Sequence, residues 1–273
     1  MIPPSFTYAR ATSVDEAIAL AAEHGEDAKY LAGGQSLLPL MKLRFASPTV
    51  VIDLGRVAEL SYIRDEGTYV AIGALTRHHE VANSELLLAD IPLLAHTAEA
   101  VGDPQIRHRG TIGGSVAHAD AAADLPASLL ALDATFVVRG PNGERSVPAA
   151  EFFQGIFETV IAPGELLTEI QVPKPAKPSA WSFQKFNKRA IDFAIVGVAV
   201  QGTSVALINM GSTPLRATAV ESALASGASI ADAAAKAAEG TNAGSDINAS
   251  KAYREHLARV LVRRGLEEAS SRS

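Results

Sequence analysis

The chain contains no cysteine among its 273 residues. It can therefore form no disulfide, ligate no iron–sulfur cluster through thiolates and offer no thiol nucleophile. Any redox centre that this chain holds has to be a bound organic cofactor.

Several other features are also missing from the sequence, and each absence excludes a class of protein. No uncharged apolar run approaches the ~20 residues that cross a bilayer, and the N-terminus lacks the pattern of a signal peptide. Basic residues number 24 against 30 acidic ones, and the net charge of -6 argues against a general binder of nucleic acid or of anionic membranes. Neither a P-loop nor a G-x-G-x-x-G motif is present, so the usual signals for ATP and NAD are missing. We expect a soluble, cytoplasmic protein with small-molecule or protein partners.

The hydrophobic content of 48% is enough for a sizeable core, and the length suits one large or two smaller domains. Residues 173–178 contain three prolines, which remove backbone donors and restrict the residues before them. Such a segment continues neither a central strand nor a helix. We therefore predict a domain boundary here, between residues 1–176 and residues 177–273.

Local patterns predict the elements of the first domain. Residues 13–16 have the Ser-x-x-Glu spacing of a capping box and predict a helix that ends at Gly25. Residues 135–139 and 145–147, on either side of the Pro-Asn-Gly turn at residues 141–143, predict a β-hairpin. Three further runs predict strands of one sheet, the last two joined as a hairpin: residues 49–53, 62–64 and 68–72.

The second domain is predicted to be a small α+β unit. Its first half predicts a three-stranded antiparallel sheet from residues 180–186, 195–201 and 205–210. Its second half predicts helices at residues 216–225, 230–238 and 250–268. The Ser/Arg-rich tail of residues 270–273 is predicted to be disordered.

Two glycine pairs carry the strongest chemical signal. Residues 33–36 (Gly-Gly-Gln-Ser) follow a predicted strand and precede a predicted helix, and residues 113–115 read Gly-Gly-Ser. Without a Cβ, a glycine turn lets a phosphate approach the backbone N–H groups closely, and a following helix adds further donors. One Gly-Gly alone is more often a tight turn. The presence of two such loops, each with a serine hydroxyl, favours a site in which one diphosphate is bound from two sides.

Four ordered stretches resemble the flavoprotein chain of molybdenum hydroxylases of the carbon monoxide dehydrogenase and xanthine dehydrogenase type: AGGQSLLPLMKLR, GDPQIRHRGTIGGSVAHADAAADLP, GELLTEIQVP and FQKFNKRAIDFA. The resemblance covers essentially the whole chain. It implies an α+β fold, in which a two-subdomain FAD-binding domain of the p-cresol methylhydroxylase type precedes the small C-terminal domain.

The resemblance also implies the site. Asp124 would accept hydrogen bonds from a cofactor hydroxyl, Leu167 would pack on the flavin, and Lys185 would lie near the flavin end of FAD. It implies no catalytic residue and no metal ligand in this chain. Relatives often carry His at the position of Gln35 and Asn or Asp at that of Ser115, but both residues remain hydrogen-bonding. The residues assigned to the FAD pyrophosphate are Ala32, Gly33, Gly34, Gln35, Ser36, Thr111, Ile112, Gly113, Gly114 and Ser115.

Several of these residues have a simpler interpretation. Asp124 is also an ordinary N-cap for the helix that follows it. Lys185, with Lys188 and Arg189, also fits a solvated basic strand edge.

Neighbouring histidines and arginines leave further alternatives open. His78 and His79 are adjacent on a predicted helix, so their side chains diverge and a metal site there is disfavoured. His108 and His118 flank the second glycine loop and suit either flavin contact or a surface role. Arg107 and Arg109 suit either phosphate neutralisation or contact with a partner subunit.

The resemblance implies an FAD-binding electron-transfer subunit. Its partners would be a small subunit with two two-iron two-sulfur clusters and a large molybdopterin subunit, in a dimer of heterotrimers, with an external electron acceptor. Carbon monoxide is the first expectation for the substrate of the complex. The alternatives are a xanthine, nicotine or aldehyde dehydrogenase-type FAD subunit, a stand-alone FAD-dependent reductase of the same fold, and a non-redox interaction module.

Overall fold

The computed structural model describes residues 2–272. The strands are β1 (Thr7–Arg10), β2 (Ala28–Leu31), β3 (Val50–Asp53), β4 (Ile63–Asp65), β5 (Tyr69–Gly73), β6 (Thr135–Gly140), β7 (Gly143–Pro148), β8 (Phe153–Gly155), β9 (Glu158–Thr159), β10 (Leu166–Pro173), β11 (Trp181–Phe186), β12 (Val196–Gln201), β13 (Ser204–Ile208) and β14 (Leu215–Arg216).

Helices connect these strands and cover their faces. The α-helices are α1 (Val14–His24), α2 (Leu37–Leu43), α3 (His78–Ala82), α4 (Glu85–Asp90), α5 (Pro92–Glu99), α6 (Pro104–Arg107), α7 (Ile112–His118), α8 (Asp124–Ala131), α9 (Ala149–Phe152), α10 (Thr218–Ala225), α11 (Ile230–Ala235) and α12 (Lys251–Ser271). Within residues 2–272, none of them has the length and apolar character needed to cross a membrane.

The N-terminal layer is a parallel sheet in the order β1-β3-β2. Helix α1 covers it with an apolar face that includes Ala17 and Ile18. The predicted start of α1 is confirmed, since the Ser13 hydroxyl accepts from the Glu16 N–H at 3.2 Å. Strand β1 was not predicted, because a four-residue strand in a parallel sheet leaves little local signal.

The second layer is an antiparallel sheet in the order β4-β5-β10-β6-β7. Both predicted hairpins are present, and their turns place Gly67 and Gly143 at positive φ, 79° and 109°. The prediction that residues 49–53 share a sheet with residues 62–72 is wrong, because β3 pairs with β1 and β2 instead. An apolar, β-branched run predicts a strand but does not specify its partner.

The C-terminal sheet has the order β11-β12-β13-β14. The three predicted strands are present, and the two-residue β14 extends the expected three-stranded sheet to four. Successive side chains of β12 point to opposite faces of this sheet. Val198 packs in a cluster with residues of α12, whereas Ala199 packs in the cluster that contains residues of α5 and α8. The sheet is thus held between α12 on one face and α5 and α8 of the first domain on the other.

The prediction of a disordered tail is wrong as far as Ser271, because α12 continues to that residue. Ala269 is buried against the C-terminal sheet, so the last turn has a packing partner that composition does not reveal. Ser273 lies outside the described residues.

Candidate cofactor site

A cleft of about 820 Å³, here called the main cleft, lies between the parallel sheet, α7, the start of α8 and the C-terminal sheet. Its volume falls within the roughly 300–1,000 Å³ of small-molecule and cofactor sites. Ile112 is the one predicted site residue that does not line it, because its side chain is fully buried in the core. The predicted residues that do line it are Ala32, Gly33, Gly34, Gln35, Ser36, Thr111, Gly113, Gly114, Ser115, Asp124, Leu167 and Lys185.

The first glycine motif forms the turn between β2 and α2. Gly34 has a φ of 75°, a left-handed conformation that glycine adopts without steric cost. The backbone N–H groups of residues 33–36 donate no hydrogen bond to any part of the chain that the structure describes. Consecutive unpaired N–H groups on a cleft wall can donate hydrogen bonds to an anion. The turn therefore has the geometry that the sequence predicted for the first motif.

The second glycine motif is the first turn of a helix rather than a loop. The N–H groups of Ile112 and Gly113 donate to the carbonyls of Thr76 and Ala74, at 3.0 and 2.9 Å. The Gly114 N–H donates to the Thr111 hydroxyl at 3.1 Å. The predicted free backbone donors are thus already used, and α7 offers the cleft a hydroxyl instead.

Close packing explains why glycine is needed in this second motif. A Cβ on Gly113 would lie 2.5 Å from the Cβ of Ala74, so a side chain would push α7 away from the segment after β5. What α7 offers the cleft is Ser115, whose hydroxyl has no hydrogen-bond partner among residues 2–272. The side chains of Gln35 and Ser36 are equally unpartnered in the described chain.

Asp124 and Lys185 form a buried ion pair on the wall of the main cleft. The Nζ of Lys185 lies 2.7 Å from Oδ2 of Asp124, and the two side chains are 9% and 4% exposed. Lys185 also donates to the Ala100 carbonyl at 3.1 Å. Oδ1 of Asp124 is buried and has no partner within the described residues.

This ion pair overturns both simpler interpretations. The N-cap of α8 is Ala123, and no backbone N–H of residues 2–272 donates to the Asp124 carboxylate. Lys188 and Arg189 are exposed as a solvated edge would be, but Lys185 points inward. The pairing joins two residues from different domains, which local capping and edge patterns do not predict.

Burial raises the pKa of Asp124 to about 6, and the positive charge of Lys185 only partly opposes this effect. At neutral pH the carboxylate is therefore ionised and the ion pair is intact. Protonation of Asp124 below about pH 6 removes the charge from the pair.

We expect the wild-type chain to lose stability relative to the Asp124→Asn variant as the pH rises from about 4 to about 6. The pKa of Asp124 is about 6 when folded, against roughly 3.9 for an exposed Asp. In this window the folded state binds more protons than the unfolded state, so its free energy of unfolding falls as the pH rises. Urea denaturation of both proteins across this range measures the difference. A difference that does not change with pH contradicts the raised pKa.

Two histidines line the main cleft. Burial, with the charges of Arg77 and Arg107, lowers the pKa of His78 to about 4, so this imidazole is neutral at pH 7. His118 stacks on Phe157 with 4.9 Å between ring centroids, and burial lowers its pKa as well. Within residues 2–272, no three potential metal ligands are close enough to hold an ion.

The remaining candidates lie outside the main cleft. His108 stacks on His79 with 4.0 Å between ring centroids. Arg107 donates to the Val101 carbonyl at 3.0 Å, so it has a structural partner. Arg109 faces a second, smaller pocket.

Sequence reasoning missed several lining segments. Tyr30 and His78 line the cleft, as do residues of the loop between β9 and β10 and residues 191–193. Tyr30 lies in the strand before the first glycine turn, and residues 191–193 lie within the last stretch that carried the resemblance. In the β9–β10 loop only Gly164 and Glu165 lie in a stretch that carried the resemblance, and the rest left no signal because its role depends on where the sheet places it.

Comparison with protein-family models identifies the family of this chain. Residues 4–175 match the model of the FAD binding domain in molybdopterin dehydrogenase, and residues 181–269 match that of the CO dehydrogenase flavoprotein C-terminal domain. The chain belongs to this flavoprotein family. Its fold is therefore the FAD-binding domain followed by the small C-terminal domain, as the resemblance implied.

Two relatives match this chain over its whole length. The carbon monoxide dehydrogenase medium chain of Hydrogenophaga pseudoflava is 42% identical, over 100% of this chain and 99% of that protein. The 6-hydroxypseudooxynicotine dehydrogenase complex subunit alpha of Paenarthrobacter nicotinovorans is 41% identical, over 100% and 97%.

Solved structures agree with these relationships. A carbon monoxide dehydrogenase structure from Hydrogenophaga pseudoflava superimposes with a TM-score of 0.96 at 42% identity, covering 100% of this chain and 99% of that one. Quinoline 2-oxidoreductase from Pseudomonas putida 86 superimposes with a TM-score of 0.92 at 32% identity, covering 99% of both chains.

The residues of the main cleft fit FAD. The unpaired N–H groups of residues 33–36 suit a diphosphate, and the orphaned Oδ1 of Asp124 suits a hydroxyl donor. Leu167 contributes an apolar wall that suits a flat ring system.

Proposed function

We propose that this chain binds FAD non-covalently in the main cleft and serves as the electron-exit subunit of a molybdenum-containing dehydrogenase. The observation that carries the proposal is the row of unpaired backbone N–H groups at residues 33–36. These groups line a cleft in a region that matches the family model of an FAD binding domain. FAD, when bound, supplies hydride and single-electron chemistry, so the protein needs no catalytic side chain of its own.

Each part of the site has a separate task in this proposal. The first glycine turn binds the diphosphate through its backbone, and Ser36 and Ser115 donate hydroxyl hydrogen bonds from two sides of the cleft. Asp124 accepts a hydrogen bond from a cofactor hydroxyl through Oδ1, while Lys185 holds the carboxylate in place through Oδ2. Leu167 packs against the ring system and helps to exclude water.

The relatives support a proposal for the assembly. We infer a small iron–sulfur subunit that delivers electrons, a large molybdopterin subunit that oxidises the substrate, and an external acceptor, in a dimer of heterotrimers in the cytoplasm. Within the chain, we place the domain boundary after residue 176, in the proline-rich segment between the two matched regions.

Carbon monoxide is the first candidate for the substrate of the complex, because two carbon monoxide dehydrogenase medium chains are 42% and 39% identical to this chain. The margin is small, since the 6-hydroxypseudooxynicotine dehydrogenase subunit is 41% identical. In this proposal the substrate is oxidised on the large subunit, so the residues of this chain do not identify it.

The proposal is tested by expressing the chain alone and together with its two presumed partner subunits. Alone, we expect one FAD per chain, released by acid precipitation, and flavin reduction by a chemical donor such as dithionite. We expect substrate-dependent dye reduction, with carbon monoxide and with nicotine-like heterocycles, only when all three subunits are present. Absorbance at flavin wavelengths measures the first property and dye bleaching the second.

Two outcomes would contradict the proposal. Substrate turnover by the single chain, without molybdenum or iron in the preparation, would favour a stand-alone FAD-dependent reductase. A colourless chain that does not take up added FAD would favour a non-redox interaction module.

A further inference from the structure

A second concave site lies behind the first glycine turn and is here called the arginine pocket. Its volume is about 340 Å³. Ala32 lines both this pocket and the main cleft, and none of its other lining residues lines the main cleft. The residues that line it are Tyr8, Arg10, Ala32, Asp53, Gly55, Arg56, Arg77 and Arg109.

The four arginines of this pocket have no ionic partner. Within residues 2–272, no carboxylate oxygen lies within 4 Å of their guanidinium nitrogens. Other arginines of the chain do have a carboxylate within that distance, for example Arg139, Arg145 and Arg216. Asp53 is the only acidic residue on the pocket wall. Its carboxylate already accepts from the Tyr8 hydroxyl at 2.6 Å and from the Gly55 N–H at 2.8 Å.

Two other carboxylates interact electrostatically with arginines of this pocket, Glu16 with Arg10 and Glu80 with Arg77, and both accept hydrogen bonds from other groups. Glu16 accepts from the backbone N–H and the hydroxyl of Thr12, at 2.7 and 2.6 Å. Glu80 accepts from the backbone N–H of Arg77 at 2.7 Å, not from its guanidinium. Four guanidinium groups thus face one concavity with a single, already hydrogen-bonded carboxylate among them.

The fold holds part of this cluster in place. Arg77 is half-buried, and its guanidinium donates to the backbone carbonyl of Arg109. Burial lowers the pKa of Arg77, and the charge of Arg109 lowers it further, whereas the charges of Glu80 and Asp53 oppose this effect without cancelling it. The segment of Arg109 is itself packed on the turn at Gly33.

We propose that the arginine pocket binds a small phosphate-type oxyanion, at a site separate from the FAD cleft. Guanidinium groups bind phosphate oxygens through paired, charge-assisted hydrogen bonds. A phosphate carries about -1.5 to -2 charges near pH 7 and presents oxygens in several directions. It can therefore pair with several of the four guanidinium groups at once, which the single carboxylate of Asp53 does not do. The anion is free inorganic phosphate or the phosphate group of a nucleotide, and these two sources share this chemistry.

The test is calorimetric titration of the FAD-loaded chain in a buffer free of phosphate and sulfate, with inorganic phosphate and separately with adenosine 5′-monophosphate. We expect saturable binding at one site. Arg10→Gln and Arg56→Gln, which change exposed side chains, should each weaken it about tenfold or more. Arg264→Gln is the matched control, because Arg264 is an exposed arginine on α12 with no ion pair among residues 2–272, and its loss changes the net charge equally.

The outcomes separate the possible explanations. Tighter binding of the nucleotide identifies a nucleotide as the source, and equal binding identifies the phosphate group alone; both support the site. The proposal is wrong if the titration with phosphate releases no saturable heat. It is also wrong if Arg264→Gln weakens phosphate binding as much as Arg10→Gln and Arg56→Gln do, because the attraction is then a diffuse effect of net charge. Loss of phosphate binding in the assembled three-subunit complex overturns it in favour of a subunit contact. The flavin spectrum, recorded in parallel, shows independently whether FAD binding has failed.

Discussion

Gly33→Ala is expected to weaken FAD binding by roughly two to four decades, the loss that corresponds to two charge-assisted N–H hydrogen bonds. A Cβ at Gly33 would overlap the carbonyl oxygen of Arg109 and lie 2.8 Å from the Cα of Gly110. Both neighbours are backbone atoms, so they cannot rotate away. The turn itself has to move, and its N–H groups then no longer point together at the diphosphate. Equilibrium dialysis or fluorescence titration with FAD measures the change.

The matched control is Gly244→Ala. A Cβ at Gly244 would meet no atom within 4 Å, and its φ does not require glycine. We expect wild-type FAD affinity for this variant, and circular dichroism of both variants shows whether the fold is retained. If Gly33→Ala keeps the affinity of the wild type, the turn at residues 33–36 does not bind the diphosphate.

Lys185→Ala is expected to lower the free energy of unfolding by about 3–5 kcal/mol, the usual effect of removing one partner from a buried ion pair. The loss of the ammonium leaves the Asp124 carboxylate buried with no hydrogen-bond partner on either oxygen within the described residues. Desolvation then dominates, and the pKa of Asp124 rises further. Chemical denaturation at pH 7 measures the effect, and FAD retention should fall with it.

Lys188→Ala provides the control for the ion pair. Lys188 is exposed three residues away, so its loss should change stability by no more than about 0.5 kcal/mol. The double variant Asp124→Asn with Lys185→Met should recover most of the stability, because both charges are gone. Equal stability of the Lys185→Ala and Lys188→Ala variants would show that the ion pair is not a structural element.

Much of the secondary structure could be predicted because its determinants are local. The capping residue Ser13 and the turn glycines Gly67 and Gly143 act within a few residues of the elements that they limit. Strand partners depend on distant contacts, so β1 was missed and β3 was placed in the wrong sheet. The C-terminal strands were predicted correctly because strong apolar runs lie next to each other along the chain.

The site divides in the same way. The first glycine motif has its predicted geometry because a strand, a glycine turn and a helix are contiguous. The second motif was predicted as a loop, but Thr76 and Ala74 accept its first N–H groups and make it the start of a helix. Local sequence does not contain these acceptors, which lie more than 30 residues earlier.

The amino-acid sequence by itself determined that this chain has no cysteine thiol, that it carries a glycine turn between a strand and a helix, and that its four ordered motifs match one flavoprotein family. Only the tertiary structure decided that Asp124 is paired with Lys185, that Ile112 is core rather than cleft, and that four arginines share one pocket. Each of these features joins residues from separate elements. Their energies depend on burial and on distance, and both are set when the sheets and helices pack together.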